Sequence, residues 1–212
     1  MFRIYRETPA DWHEVENLYD TAFAPGRTAL SSYRLRDGVD PVAELCLLMR
    51  DEYDAVAGAI RYWPIRIAPP PGAEEDGRGA GAAGDADAAA EGAAAGDADP
   101  PAARPAPPPP VPDAPGPGVP ALLLGPVAVH PTRHGEGLGG LLMMESLDRA
   151  REAGWTRVVL VGDEPYYRRF GFRRDLALGV EFPPPTNPDR ILARELQDGA
   201  MDGVAGLVQR WG

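Results

Sequence analysis

The sequence predicts a single α/β domain built on a mixed sheet, interrupted by one segment of very different composition. Short apolar or alternating runs, typical of strands, take turns along the chain with amphipathic runs typical of helices. Residues 69–119 stand apart, because 38 of these 51 residues are Pro, Gly or Ala. About 160 residues remain outside this segment, which is a usual size for one domain.

The first elements are a strand and a helix. Residues 2–7 alternate between apolar and polar side chains and predict a strand. Thr8 and Pro9 suit an N-cap and a first helical position, and apolar side chains recur at helical spacing up to Phe23. Pro25 and Gly26 end this helix, and a short second helix is expected within residues 27–40.

The remaining elements place a hairpin before the segment and two further strand–helix units after it. The runs 43–50 and 55–67 flank the turn residues DEYD and predict the hairpin. Beyond the segment the patterns predict a strand at 121–129, a helix at 137–153 ended by Gly154, a strand at 156–163, a short helix at 165–169 and a strand at 190–196. Strands and helices in this order predict a mixed sheet flanked by helices.

The segment 69–119 is interpreted as a disordered insertion within the domain. It has no aromatic residue, and its only larger apolar side chains are Val111 and Val119. Too little apolar surface is available to offset the entropy lost on ordering. Nine acidic residues against two arginines give it most of the net charge of −11. We therefore expect it to be a solvated acidic tether.

Composition also limits the partners and the location. No basic cluster suits a nucleic-acid backbone, so nucleic-acid binding is not expected. No run approaches 18 apolar residues and no signal pattern opens the sequence, so we expect a cytoplasmic protein without a membrane partner. The single Cys46 excludes an internal disulfide, and no metal is expected from the spacing of His, Cys and Asp. The assembly is expected to be a monomer or a homodimer.

A glycine-rich turn follows the strand 121–129 and points to a phosphate. The stretch HPTRHGEGLGGLL, residues 130–142, places four glycines at the start of a predicted helix. A nucleoside triphosphate is excluded, because a P-loop needs a lysine and the chain has none. A nicotinamide dinucleotide fits the glycine spacing, and Asp163 ends the next strand. Only 49 residues follow Asp163, however, too few for the further strand–helix units of that fold.

Two stretches resemble the GCN5-related N-acetyltransferases, the GNAT superfamily. VAVHPTRHGEGLGGLLM is similar to the acetyl-CoA-binding segment of that family, with its motif falling on His134, Gly137 and Gly139. DEPYYRRFGF is similar to a second signature of the family, with Tyr167 four residues before Gly171. The tail LARELQDGAMDGVAG resembles that of bacterial predicted acetyltransferases. The resemblance implies the GNAT fold, with splayed strands in the central sheet and the insertion before the cofactor-binding strand.

The resemblance also implies a site and a reaction, the transfer of an acetyl group from acetyl-CoA to a primary amine. The implied cofactor-binding residues are Val127, Ala128, Val129, His134, Gly135, Glu136, Gly137, Leu138, Gly139 and Gly140. Pro126 would mark a bulge in the strand, and the N–H of Val129 would donate a hydrogen bond to the acetyl carbonyl. Tyr167 would be the general acid for the leaving thiolate.

The base and the acceptor are left open by the sequence. Asp163 and Glu164 are candidate bases because they lie beside Tyr167 at a strand end, while Glu44 and Glu195 are weaker candidates. Arg34 and Arg36 would suit an acceptor with a carboxylate or phosphate, unless they form a solvated face. Two alternatives remain: a non-catalytic acyl-CoA sensor whose output is the acidic insertion, and a nicotinamide-dependent oxidoreductase.

Overall fold

The structure, a computed structural model, describes residues 2–23, 26–69 and 117–211. Most of the expected insertion, residues 70–116, therefore lies outside the described residues. In chain order the elements are β1 (Arg3–Arg6), α1 (Trp12–Ala22), α2 (Ser31–Arg34), β2 (Leu47–Arg50), β3 (Val56–Ala68), β4 (Val119–Val129), α3 (Leu138–Glu152), β5 (Arg157–Val161), α4 (Glu164–Tyr167), β6 (Val180–Glu181), β7 (Ile191–Glu195) and β8 (Gly206–Arg210).

The strands form one mixed and mainly antiparallel sheet, as the sequence predicts. The order is β1-β2-β3-β4-β5-β7, with β8 paired to β3 and β6 paired to β8. Only the β4–β5 and β6–β8 pairings are parallel. One edge of β3 is shared, because its first half pairs with β2 and residues Ile65–Ala68 pair with β8.

Helices cover both faces of this sheet. Leu142, Met143 and Leu147 of α3 pack on one face, against alternate side chains of β2, β3 and β4 such as Ile60 and Leu122. On the opposite face, Val15, Leu18 and Tyr19 of α1 pack against Leu48, Ala59 and Ala128. The predicted mixed sheet with flanking helices is therefore confirmed.

The first helix begins as its sequence predicts. The carboxylate of Asp11 accepts from the Thr8 amide at 2.8 Å and from the Thr8 hydroxyl at 2.6 Å. A 3-10 turn over Pro9–Asp11 leads into α1. The helix ends at Ala22, so Phe23 lies just beyond it.

Two details of the predicted topology are wrong. The strand expected over 43–50 begins only at Leu47, because Leu45 and Cys46 donate to the carbonyls of Val42 and Ala43 and close a 3-10 turn. The predicted order also lacks β6 and β8. Both strands are short, and their pairing with distant residues leaves too little local pattern for prediction.

Candidate functional site

A β-bulge interrupts β4 midway along its pairing with β3. Tyr62 lies opposite Leu124 and Ile60 lies opposite Val127, so Arg61 alone faces both Gly125 and Pro126. Gly125 has a φ of +120°, which side-chain-bearing residues rarely adopt. The carbonyl of Pro126 accepts from the buried Tyr19 hydroxyl at 3.4 Å. A bulge at this proline is what the resemblance implies.

Beyond the bulge, β4 and β5 separate. Their parallel pairing covers Leu122 with Val158 and Leu123 with Val159, and the described residues show no pairing further along. The His130 amide donates to the Ala57 carbonyl at 2.8 Å. Because bonded and non-bonded pairs alternate in an antiparallel ladder, the N–H groups of Val127 and Val129 point away from β3. They face the gap where the parallel pairing has ended.

A glycine-rich loop joins β4 to α3 at the mouth of this gap. Gly135 and Gly137 have φ values of +86° and +78°, and Gly137 is the N-cap of α3. The first bonds of the helix run from Gly140 and Leu141 to the Gly137 carbonyl. The amides of Leu138 and Gly139 precede those bonds and lie at the positive end of the helix dipole. Such a terminus is suited to an anion.

The loop and the gap enclose a cavity of about 450 Å³, which we call the loop cavity. Nine of the ten predicted cofactor-binding residues line it: Val127, Ala128, Val129, His134, Gly135, Gly137, Leu138, Gly139 and Gly140. Its wall also includes Arg133, Tyr166, Tyr167 and Arg169. Tyr166 is not among the site residues predicted from the sequence, although its position beside Tyr167 on a short helix was a usable signal.

The acidic residue of the loop does not line the cavity. The Glu136 carboxylate lies 3.9 Å from Nη1 of Arg133, and Arg133 donates to Asp51 at 2.7 Å. Glu136 therefore contributes main chain to the loop while its charge lies beside a cation. His134 lies within 3.0 Å of the Val129 carbonyl through Nε2, which ties the loop to the end of β4.

Small residues keep the cavity open next to Val129. A Cβ added to Gly139 would lie 3.2 Å from the Tyr166 hydroxyl and 3.5 Å from Cγ2 of Val129. Even a methyl group here would enter the space between α3 and β4.

Tyr167 lies at the inner end of the loop cavity. Its ring packs edge-on against Tyr166 and Phe172, and a Cβ on Gly162 would lie 2.3 Å from its Cε2 atom. Burial raises the pKa of Tyr167 to about 12. The phenol therefore keeps its proton throughout the neutral range.

Tyr167 and Val127 also line a second space, the inner cavity, of about 130 Å³. Beyond it an outer cavity of about 580 Å³ opens between α1 and the residues around α2. Pro126, Tyr33 and Arg36 belong to the walls of both. The bulge thus lies between the loop cavity on one side and a space reached from α1 and α2 on the other.

The candidate bases lie outside these cavities. The Asp163 side chain is 74% exposed and its carboxylate lies 3.1 Å from Nε of Arg190. Its main-chain carbonyl accepts the amides of Tyr166 and Tyr167, so Asp163 begins α4. Glu195 accepts the Met201 amide at 2.7 Å, and Glu44 is exposed in the 3-10 turn before β2.

Residues 113–174 match the family model of the GNAT acetyltransferase domain. Over these residues the chain is similar to the GNAT acetyltransferases. It is 35% identical over 86 residues to the uncharacterized N-acetyltransferase YhbS of Escherichia coli K12, a match covering 41% of this chain and 52% of that protein. The chain thus matches about half the length of these curated relatives.

Solved GNAT structures share the fold. The crystal structure of Escherichia coli YhbS in complex with CoA aligns with a TM-score of 0.65 at 23% identity, covering 99% of this chain and 88% of that one. A GNAT acetyltransferase from Brucella melitensis in complex with acetyl-CoA aligns with a TM-score of 0.50 at 25% identity, covering 82% and 83%. The GNAT fold expected from the two motifs is confirmed.

No three of the described His, Cys, Asp and Glu side chains form a group that could hold a metal ion. None of the described helices has the length and apolar character needed to cross a membrane.

Proposed function

We propose that this chain is an N-acetyltransferase that moves an acetyl group from acetyl-CoA to a primary amine of a small molecule or peptide. The observation that carries the proposal is the loop cavity, where the free amides at the start of α3 and those of Val127 and Val129 meet. The CoA and acetyl-CoA held by two GNAT structures of the same fold support the choice of donor.

The loop suits the pyrophosphate of CoA in shape and charge. The amides of Leu138 and Gly139 and the positive end of the α3 dipole favour a doubly charged anion. Gly139 leaves room for close approach of that anion to the main chain. Arg169 lines the same cavity and adds positive charge, whereas the charge of Arg133 is paired with Asp51.

When bound, acetyl-CoA supplies the acetyl group: the amine nitrogen bonds to its carbonyl carbon, the C–S bond breaks, and a proton lost by the amine balances the one taken by sulfur. The Val129 amide is proposed to donate to the carbonyl oxygen as negative charge develops on it. Tyr167 is proposed to give its proton to the leaving sulfur.

The amine must lose a proton before it attacks. We propose that Asp163 receives it through water, because Asp163 immediately precedes the helix that carries Tyr167. The exposure of its carboxylate and its ion pair with Arg190 predict a modest contribution. Direct transfer is proposed because Cys46 lines neither the loop cavity nor the inner cavity, and burial raises the pKa of its thiol to about 12.

The first test is thermal unfolding with acetyl-CoA, and with NAD and NADP in parallel. A ligand present at 100 times its Kd stabilises by about 2.7 kcal/mol, roughly 5 to 10 °C for a domain of this size. We expect a shift with acetyl-CoA alone. A shift with NAD alone would contradict the proposal and favour an oxidoreductase.

A matched pair of α3 variants locates the binding site. Gly139→Ala places a methyl group between Val129 and Tyr166 and is expected to weaken acetyl-CoA binding at least tenfold. Leu141→Ala alters a half-exposed residue of the same helix and should bind normally. Turnover is then followed by mass spectrometry over a panel of amines. Binding without acetylation of any amine would contradict the transferase proposal and favour the sensor alternative.

A further inference from the structure

The guanidinium of Arg36 is an unusual feature of the inner cavity. Among the described residues, Nε and Nη1 of Arg36 have no hydrogen-bond partner, although both atoms are shielded from solvent. The cation lies 4.2 Å from the Tyr33 ring centroid and 4.8 Å from that of Trp63. Burial without an acidic partner lowers the pKa of Arg36 to about 10, so the group remains charged at neutral pH.

The other arginines around these cavities already have partners. Arg27 donates to Glu16 at 2.6 Å and to Asp20 at 2.9 Å. Arg61 is bonded to Glu7 and Glu16, and Arg34 donates to the Pro184 carbonyl. Arg36 forms no ion pair with any described residue. A buried cation without a counter-ion is costly, so Arg36 is the position where a bound anion would gain most.

The charge of the inner cavity also favours a bound anion. Its charged wall residues are Arg27 and Arg36, and no described carboxylate lines it. Asp37 and Asp40 line only the outer cavity, where both are exposed. An anionic group of a bound molecule would therefore meet positive potential beside Tyr167 and the bulge.

Arg36 also lies close to the bulge. A Cβ built on Gly125 would be 3.6 Å from its Nη2 atom, and Gly125 is two residues before Val127. Two residues of a strand span at most about 7 Å. An anionic group bound to Arg36 and an amine at the mouth of the gap could therefore belong to one small molecule, separated by only a few covalent bonds.

We propose that the acceptor is a small amine with a carboxylate a few bonds from its amino group, as in an amino acid, and that Arg36 binds this carboxylate. The proposal rests on the proposed acetyl transfer. A planar guanidinium donates two parallel hydrogen bonds to a carboxylate, and the cavity of about 130 Å³ suits a group of that size.

The test is a set of acetylation rates with matched acceptors. The twenty standard amino acids and β-alanine are compared with their carboxamides, with the corresponding amines lacking the carboxylate, and with phosphoethanolamine. We expect kcat/KM to be about 100-fold higher for at least one amino acid than for its amide, because the amide leaves the buried cation unpaired. Equal rates for amines lacking any anionic group, or a preference for phosphoethanolamine, would overturn the proposal.

Two variants assign the preference to one side chain. In Arg36→Met the ratio between acid and amide should fall to near one, with acetyl-CoA binding unchanged. Arg151→Met removes an exposed arginine that donates to a carbonyl and lines none of the three cavities, so it should keep the wild-type ratio. If Arg36→Met lowers both rates equally, Arg36 does not recognise the carboxylate and the proposal is wrong.

A binding measurement separates this proposal from the proposed function. The amino acids and their amides are titrated into the CoA complex and followed by thermal unfolding. A shift that requires both the carboxylate and Arg36 supports the site even if no acceptor is acetylated. The absence of such a shift for every amino acid, with CoA bound, would overturn it.

Discussion

At the scale of single residues, the state of one proton determines what Tyr167 can do. Its phenol is half-buried among aromatic rings, which raises the pKa of Tyr167 to about 12. The protonated form is the proposed proton donor, so the proposed contribution of Tyr167 to catalysis is complete at neutral pH and is lost as pH rises through that pKa. The environment thus supplies a donor that does not titrate in the working range.

We expect Tyr167→Phe to lower kcat by about 100-fold while acetyl-CoA affinity changes little. Between about pH 7 and pH 10, the rate of the wild type should not fall with rising pH in a way that the rate of the variant does not. Initial rates across pH measure both effects. Tyr53→Phe, an exposed tyrosine in the β2–β3 turn, is the control. Full turnover by Tyr167→Phe would exclude a role as general acid.

Some site residues belong to local sequence motifs, whereas others are brought to the site only by the fold. The glycines of the loop and Tyr167 belong to local patterns, so the sequence was enough to single them out. Tyr166 and Arg169 complete the loop cavity only because α4 lies against the start of α3. The sequence names Arg36 among possible anion ligands, but it does not show that Nε and Nη1 are buried without a partner, because that depends on Tyr33, Trp63 and the bulge.

At the scale of elements, one arginine joins three of them. Arg61 of β3 is buried and bonds to Glu7 at the end of β1 and to Glu16 of α1, at distances of 2.5 to 2.8 Å. It also lies opposite the bulge in β4. Removal of this cation takes away the buried ion-pair partner of Glu7, whereas Glu16 keeps its bond to Arg27.

Arg61→Met should therefore destabilise the protein by about 3 to 5 kcal/mol. Arg149→Met breaks only a surface pair with Glu145 one helical turn away and should cost less than about 1 kcal/mol. Urea unfolding of both variants measures the difference. Similar losses for the two would show that the Arg61 network contributes little to stability.

Elements with strong local signals were predicted well, and those held by distant pairing were not. The apolar period of α3 and the capping residues Thr8 and Pro9 act within a few neighbours, so their helices are readable. β8 is stabilised by β3, more than 130 positions earlier in the chain. The separation of β4 from β5 was expected only through resemblance, since no local pattern specifies where a pairing stops.

At the scale of the whole molecule, the ends of the Ala/Gly/Pro-rich segment are side by side. Ile67 of β3 lies opposite Val119 of β4 in an antiparallel pair, so the chain leaves and returns at adjacent strands. Neighbouring strands are about 5 Å apart, which a two-residue turn can span. The domain therefore does not need residues 70–116 to connect these strands, in keeping with the proposal that they are an insertion.

We expect that replacing residues 70–116 by Asn-Gly will preserve the fold and the stabilisation by acetyl-CoA. The melting temperature with and without acetyl-CoA, and the acetylation rate, are compared with those of the full chain. Loss of acetyl-CoA binding or of turnover in a folded variant would mean that the segment takes part in function, as the sensor alternative requires.

The position of β8 has a consequence for how the protein is made. β8 follows all its partners in the chain, yet it completes the open edge of β3, the longest strand of the sheet. During synthesis, the N–H and C=O groups of Ile65–Ala68 that bond to β8 remain unpaired until β8 has left the ribosome. A nascent chain interrupted before β8 would present an unpaired edge to other chains, and such edges promote aggregation. Production of this protein should therefore be sensitive to truncations that remove residues 206–210.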